Sequence, residues 1–131
     1  MKKLLLLLFG LFIFNATEAQ VHTYYQVKHV DANRGDTKKA TSLIVERLII
    51  TPKYCYQCDE YGNRKRPNAF NMDIYHYKYT DRNGNTVYEG TLGTYVISAD
   101  KRRFNYYFGS SKHLITVYDK EKPQFDDIIM Y

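Results

Sequence analysis

From Asp73 onward, apolar and polar positions alternate with period two, which predicts half-buried strands rather than helices. Tyr75, Tyr77 and Tyr79 alternate with Ile74, His76, Lys78 and Thr80, and the run ends in Asp81-Arg82-Asn83-Gly84-Asn85. Asn-Gly favours a two-residue hairpin, because both central residues of a type I′ turn need positive φ. With Asn83-Gly84 at the turn centre, Tyr79 faces Tyr88, Lys78 faces Glu89, Tyr77 faces Gly90 and Tyr75 faces Leu92. Such cross-strand neighbours are worth about 0.2–1 kcal/mol each, and a slip of one residue would scramble them. A second turn at Asp100-Lys101 pairs Ile97 with Phe104 and Tyr95 with Tyr106. The apolar parity is even at Tyr88 and Leu92 but odd at Tyr95 and Ile97, which predicts a β-bulge or sharp bend near Gly93. A third turn at Ser110-Ser111 sets Phe104 opposite Val117, Tyr106 opposite Ile115 and Arg103 opposite Tyr118. Residues Asp73 to Asp119 therefore read as a four-stranded antiparallel meander with one aromatic face.

The N-terminal half is patterned less regularly. Val21 to Val30 reads as a strand and Asp31 to Asp36 as a loop. Thr41 to Thr51 carries both a helical stripe and a dense β-branched run ended by Pro52, and the β-branched content favours a strand. Asp59 to Asn71 is a polar loop, Lys120 to Gln124 a linker, and Phe125 to Tyr131 a candidate final strand. The expected fold class is all-β. About six or seven antiparallel strands form a meander closed into a small barrel or folded into a compact sandwich. The chain resembles small lipocalin-like barrels in strand order only, and a β-meander hosts many functions. No motif names a family.

The first residues are patterned differently. Met1-Lys2-Lys3, an apolar run from Leu4 to Phe14 and the small or polar stretch Asn15 to Ala19 match the three parts of a secretory signal peptide, with cleavage expected after Ala19. As a helix that run would rise about 16 Å, short of the roughly 30 Å hydrocarbon core of a bilayer. Residues 1–19 are thus read as a leader and 20–131 as one β-rich domain, secreted or periplasmic, with no membrane span after cleavage. The chain of 131 residues carries a formal net charge of +5. That is mildly basic, and together with export it argues against a nucleic-acid partner.

Composition adds one outlier: there are 14 tyrosines and no tryptophan. A phenol ring is apolar with one polar tip, which suits a core, a ligand pocket or an interface. Tyr75, Tyr77, Tyr79, Tyr88, Tyr95 and Tyr106 fall on the inward face of the expected register and would line the interior. Tyr107 and Tyr118 fall outward, as candidates for an exposed contact, with Arg103 placed to stack on Tyr118. The densest basic runs, Arg64-Lys65-Arg66 and Lys101-Arg102-Arg103, are candidates for an anionic partner, a lipid headgroup or acidic glycan, should the fold bring them together.

Cys55 and Cys58 are expected to form a local disulfide in an exported chain, provided that Tyr56-Gln57 makes a turn, since residues three apart on a strand point to opposite faces. Free thiols, a thiol-disulfide redox pair and a metal site are the alternatives. The acidic Asp59-Glu60 that follows opposes a thiolate, and zinc would need more ligands than this pair offers. Arg34-Gly35-Asp36 is read as an ordinary glycine turn. No catalytic, phosphate-binding or dinucleotide motif is present, and no cofactor or metal is expected. The leading reading is a non-enzymatic binding or interaction module. Its ligand is small and apolar if the barrel is open, and a protein or surface polymer if the interior is filled. The alternatives are a redox protein using Cys55 and Cys58, or a structural or assembly subunit of the cell surface joined through Val21–Val30 or Phe125–Tyr131.

Overall fold

Period-two patterning carries through to the backbone. The structure, a computed structural model describing residues 20–67, 69–110 and 112–125, has nine β-strands and no helix among those residues. The expected leader lies outside the described residues. So does the expected final strand, apart from Phe125, which belongs to no strand.

The strands are β1 (Val21–Asp31), β2 (Asp36–Lys39), β3 (Val45–Ile50), β4 (Tyr54–Gln57), β5 (Ile74–Thr80), β6 (Thr86–Glu89), β7 (Gly93–Ile97), β8 (Arg103–Phe108) and β9 (Leu114–Asp119). Strands β3 to β9 form an antiparallel meander, and β1 closes it. The first part of β1, Val21–Tyr25, pairs with β3, while Tyr25–Asp31 pairs with β9 on the other edge. Eight strands thus make a closed barrel, and β2 is an arm hydrogen-bonded to Lys28–Asp31. Closing a sheet this way needs staggered, tilted strands, and a bulge between Gln26 and Lys28 bends β1 where it changes partners.

Of the two barrel ends, the first carries the β3–β4, β5–β6 and β7–β8 turns. The second carries the β1–β2 turn, the 40–44 segment, the long β4–β5 connection, the β6–β7 turn and the β8–β9 connection.

The strand reading of Thr41–Thr51 holds over Val45–Ile50, and the Asp100-Lys101 turn gives the expected register, with Tyr95 opposite Tyr106 and Ile97 opposite Phe104. Three expectations need correction. At β5–β6 the turn sits where Asn83-Gly84 places it, but Tyr77, not Tyr79, faces Tyr88; Tyr79 faces Val87 and His76 faces Glu89. The cause is Asp81. Its carboxylate accepts the backbone N–H of Asn83 and Asn85 at 2.9 Å each, and its carbonyl accepts that of Gly84 at 3.1 Å. The result is a type I turn in which Gly84 has positive φ (83°) and Asn83 does not. A bulge at Lys78 absorbs the offset and still brings its ammonium to Glu89.

The parity change near Gly93 is a full hairpin rather than a bulge. The Gly90 N–H donates to the Gly93 carbonyl at 2.9 Å, and Tyr88 lies opposite Tyr95. The meander from Asp73 to Asp119 therefore has five strands. Finally, β9 is shifted by one: Phe104 faces Tyr118, Tyr106 faces Thr116 and Arg103 faces Asp119. Gly109, at φ 63°, lengthens the connection by the residue that makes the shift.

Inside the barrel, Tyr24, Leu48, Cys55, Tyr75, Tyr88, Tyr95, Ile97 and Phe104 form one buried cluster, with Ile50, Tyr106 and Tyr118 against it. Ring contacts hold it together. Tyr24 meets Phe104 edge-on at 4.7 Å between centroids, Tyr75 meets Tyr95 at 4.5 Å, and Phe104 stacks on Tyr118 at 4.4 Å. Such pairs add about 0.5–1.5 kcal/mol each beyond area burial. Phenol groups at the first end donate to backbone, Tyr24 to the Lys101 carbonyl and Tyr88 to that of Thr51.

Candidate functional site

The interior tyrosines are core. Tyr24, Tyr75, Tyr88 and Tyr95 are at most 5% exposed, so their rings fill the space that an open barrel would offer a ligand. Burial pushes the Tyr88 phenol up to about 12, so these groups stay neutral. Tyr77 and Tyr79 are about half exposed. Tyr118, expected outward, faces the core on Phe104, and burial pushes its phenol up to about 12 as well. Arg103 binds Asp119 at 2.8 Å instead of stacking on Tyr118.

Cys55 and Cys58 are free thiols, not a disulfide. Backbone pairing explains it. Residues Tyr54–Gln57 are strand, and Cys58 continues in extended pairing with Arg64, so no turn brings the sulfurs together. Cys55 is fully buried in the core and burial pushes its thiol up strongly; the Cys58 thiol is also raised, by burial and by the Asp59 charge. The nucleophilic thiolate is thus disfavoured at both positions. Reductant should leave the mass unchanged, and a thiol reagent should label both cysteines rapidly only after denaturation. Fast labelling of the native chain would contradict this placement.

The two basic runs lie at opposite ends, Arg64-Lys65-Arg66 in the β4–β5 connection and Lys101-Arg102-Arg103 in the β7–β8 turn, so they do not form one patch. Arg64 is held by Asp73 through two guanidinium–carboxylate contacts and by Asn71 at 3.1 Å. The Arg34-Gly35 turn is capped locally, the Asp31 carboxylate accepting the backbone N–H groups of Asn33 and Arg34. His22 is buried and its pKa lowered by burial and by Lys120, whose ammonium donates to its Nδ1 at 2.9 Å. The ring is thus a neutral acceptor.

A concave surface exists on the outer face. A groove of about 750 Å³ runs across β5 to β8, from Asp81 beside the β5–β6 turn to the β6–β7 turn and the β8–β9 connection. Its floor is Val87 and Val96, and Tyr79 and Tyr107 stand among its walls. The register explains the assembly. Tyr79, Val87 and Val96 form one outward row, and Glu89, Thr94 and Tyr107 the next. Val87 is 6% exposed although it faces away from the barrel interior. Lys78, Asp81, Glu89 and Lys112 put charge around this apolar floor. Tyr79 and Tyr107 thus come together in one site. The valines were missed, although the parity of Tyr95-Val96-Ile97 marks Val96 as outward.

One buried polar group stands apart. Glu46 is 9% exposed and shares the inward parity of Leu48, and its Oε1 has no hydrogen-bond partner. Burial raises its pKa.

Compared with protein-family models, with curated proteins and with solved structures, the chain finds no match.

Proposed function

We propose that this chain is an exported, non-enzymatic interaction module that holds its partner on the outside of the barrel. One observation carries the reading: the interior is occupied by stacked rings, while a groove with an apolar floor and aromatic walls opens on the outer face. A filled barrel leaves no room for a small apolar guest, so the partner is a protein or surface polymer. The outer rows mix Lys78, Glu89 and Asn105 with Val87 and Val96, whereas the lipid-facing rows of a membrane-spanning barrel are apolar. The buried, raised thiols weigh against the redox alternative. Assembly through Val21–Val30 is disfavoured, because β1 pairs with β3 over Val21–Tyr25, with β9 over Tyr25–Asp31 and with β2 over Lys28–Asp31, which leaves only Val21–Tyr24 without a strand on one side. The arm β2 has an outer edge, but it is four residues long and carries Lys38 and Lys39, features that discourage strand addition.

The groove is testable with anilinonaphthalene sulfonate, an aromatic anion suited to an apolar floor beside lysines. The native chain should enhance its fluorescence saturably. Val96→Asp should weaken that binding at least tenfold, as should Tyr107→Ser, with circular dichroism unchanged. Undiminished binding in both variants would remove the groove from the reading, and turnover in a disulfide-exchange assay would overturn the non-enzymatic one.

A further inference from the structure

The exposed apolar side chains are not scattered. Among the described residues, six large non-tyrosine hydrophobics are exposed: Leu43, Ile44, Phe70, Leu92, Phe108 and Leu114. All six lie at the second barrel end, on four separate segments around one mouth. Leu43 and Ile44 precede β3, Phe70 is in the β4–β5 connection, Leu92 is in the β6–β7 turn, and Phe108 and Leu114 flank the β8–β9 connection. Phe70 is 85% exposed and Phe108 63%. Tyr61 is exposed too, but it stands apart from this end, since its neighbour Gly62 lies against Val21 and Ile49 on the outer wall. The first end presents tyrosines instead, Tyr54 and Tyr77.

Cations interleave with this crown. Lys38, Lys39, Lys65, Arg66 and Lys112 are exposed at the same end, against the exposed acids Asp36 and Glu60. Of the other acids there, Glu89 is paired with Lys78, Glu46 is buried with one oxygen unpartnered, and the rest are engaged within their own loops. Asp59 accepts backbone N–H groups of Tyr61 and Asn63, Asp73 is bound by Arg64, and Asp31 caps the β1–β2 turn.

We infer that this end docks on an anionic lipid surface, the apolar tips entering the interfacial layer and the cations meeting the headgroups. The inference deepens the interaction-module reading and rests on it. Single apolar side chains on a surface need no explanation, but a ring of them gathered at one pole does. Protruding tips on separate loops suit a fluid interface, into which each can insert on its own. Each cation near an anionic surface adds to the attraction. Apolar insertion and basic attraction are the two contributions that together hold a protein on a bilayer. One end of the groove, at Thr91, Gly109 and Lys112, lies beside Leu92 and Phe108, so docking would hold that end at the headgroup layer.

The test is co-sedimentation of the purified chain with vesicles of phosphatidylglycerol and phosphatidylcholine in equal parts, and with phosphatidylcholine alone. Binding to the anionic vesicles is expected to be at least tenfold tighter. It should weaken at least tenfold in Phe70→Ser/Phe108→Ser, and likewise in Lys65→Glu/Arg66→Glu, with circular dichroism unchanged in both. No partition into either vesicle overturns the inference. Partition that the two double variants leave intact overturns it too, as does a concentration-dependent dimer that Phe70→Ser/Phe108→Ser dissolves, which would assign the crown to a second copy. The dye readout separates the two claims. Saturable dye binding sensitive to Val96→Asp alongside failed vesicle binding leaves the groove standing and the crown without a lipid role; the opposite pair of results does the reverse.

Discussion

Gly93→Ala should destabilise the barrel by about 3 kcal/mol, lowering Tm by about 10–20 °C. A Cβ at this position would lie 2.3 Å from the Tyr107 carbonyl oxygen and 2.6 Å from the Tyr106 hydroxyl. Neither neighbour yields easily. The carbonyl belongs to the β7–β8 ladder, and the hydroxyl is bonded to Tyr75 at 3.0 Å and to the Leu92 carbonyl at 3.1 Å. Relief would have to break the β6–β7 turn or move the core tyrosines, and with total stabilities of about 5–15 kcal/mol either is a large share. Gly109→Ala is the matched control. Its φ is +63° but a Cβ there meets nothing within 4 Å, so it should cost only about 1–2 kcal/mol for the left-handed backbone. Thermal unfolding followed by circular dichroism checks both. Gly93 has no positive φ, so an effect no larger than that of Gly109→Ala would mean that the close approach is relieved at little cost.

That glycine also marks where the pattern could and could not be read. The β7–β8 hairpin was legible to the residue, because its strands alternate cleanly on either side of Asp100-Lys101. The parity switch near Gly93 was legible as an anomaly, but an inserted residue and a two-residue reversal leave the same parity trace; only the crowding by Tyr106 and Tyr107 tells them apart. The β5–β6 register slipped because the Asp81 side chain stabilises a different turn around the same Asn-Gly pair. Those bonds depend on which backbone groups a short carboxylate can reach, and alternation does not encode that. The cysteine spacing contained its own warning, since a strand through Tyr54–Gln57 keeps the thiols on opposite faces. Of the candidate surfaces, Tyr107 was placed outward by alternation, whereas Tyr79 was placed inward and is turned outward by the bulge at Lys78. The groove and the crown were not legible, because both are assembled from segments that only barrel closure brings to one side or one end. Tyr118 was placed on the wrong face by a single added residue at Gly109, as period-two arguments are bound to do when a register shifts by one.

Glu46→Gln should make the chain more stable at pH 8 by about 1–2 kcal/mol while leaving it nearly unchanged at pH 4, as read by urea denaturation at both values. Glu46 is an inward member of β3, directly opposite Tyr24, and one of its carboxyl oxygens is buried without a partner. Desolvation therefore raises its pKa, opposed by the Arg47 backbone N–H and the more distant charges of Lys65 and Arg66. The sign follows from proton binding. With its pKa higher in the folded state, the native chain holds this proton to higher pH than the unfolded chain does. Its contribution is complete below the unfolded value and is lost as pH rises through the folded one. Glutamine cannot ionise, so the difference between variant and parent should open across that window and then level off. Turn carboxylates with lowered pKa values, Asp59, Asp81 and Asp100, impose the opposite trend, stability being lost as pH falls. They are common to both chains and cancel in the difference. A difference that closes as pH rises would mean that Glu46 is stabilised as a carboxylate, with the mouth of the barrel built around that charge rather than against it.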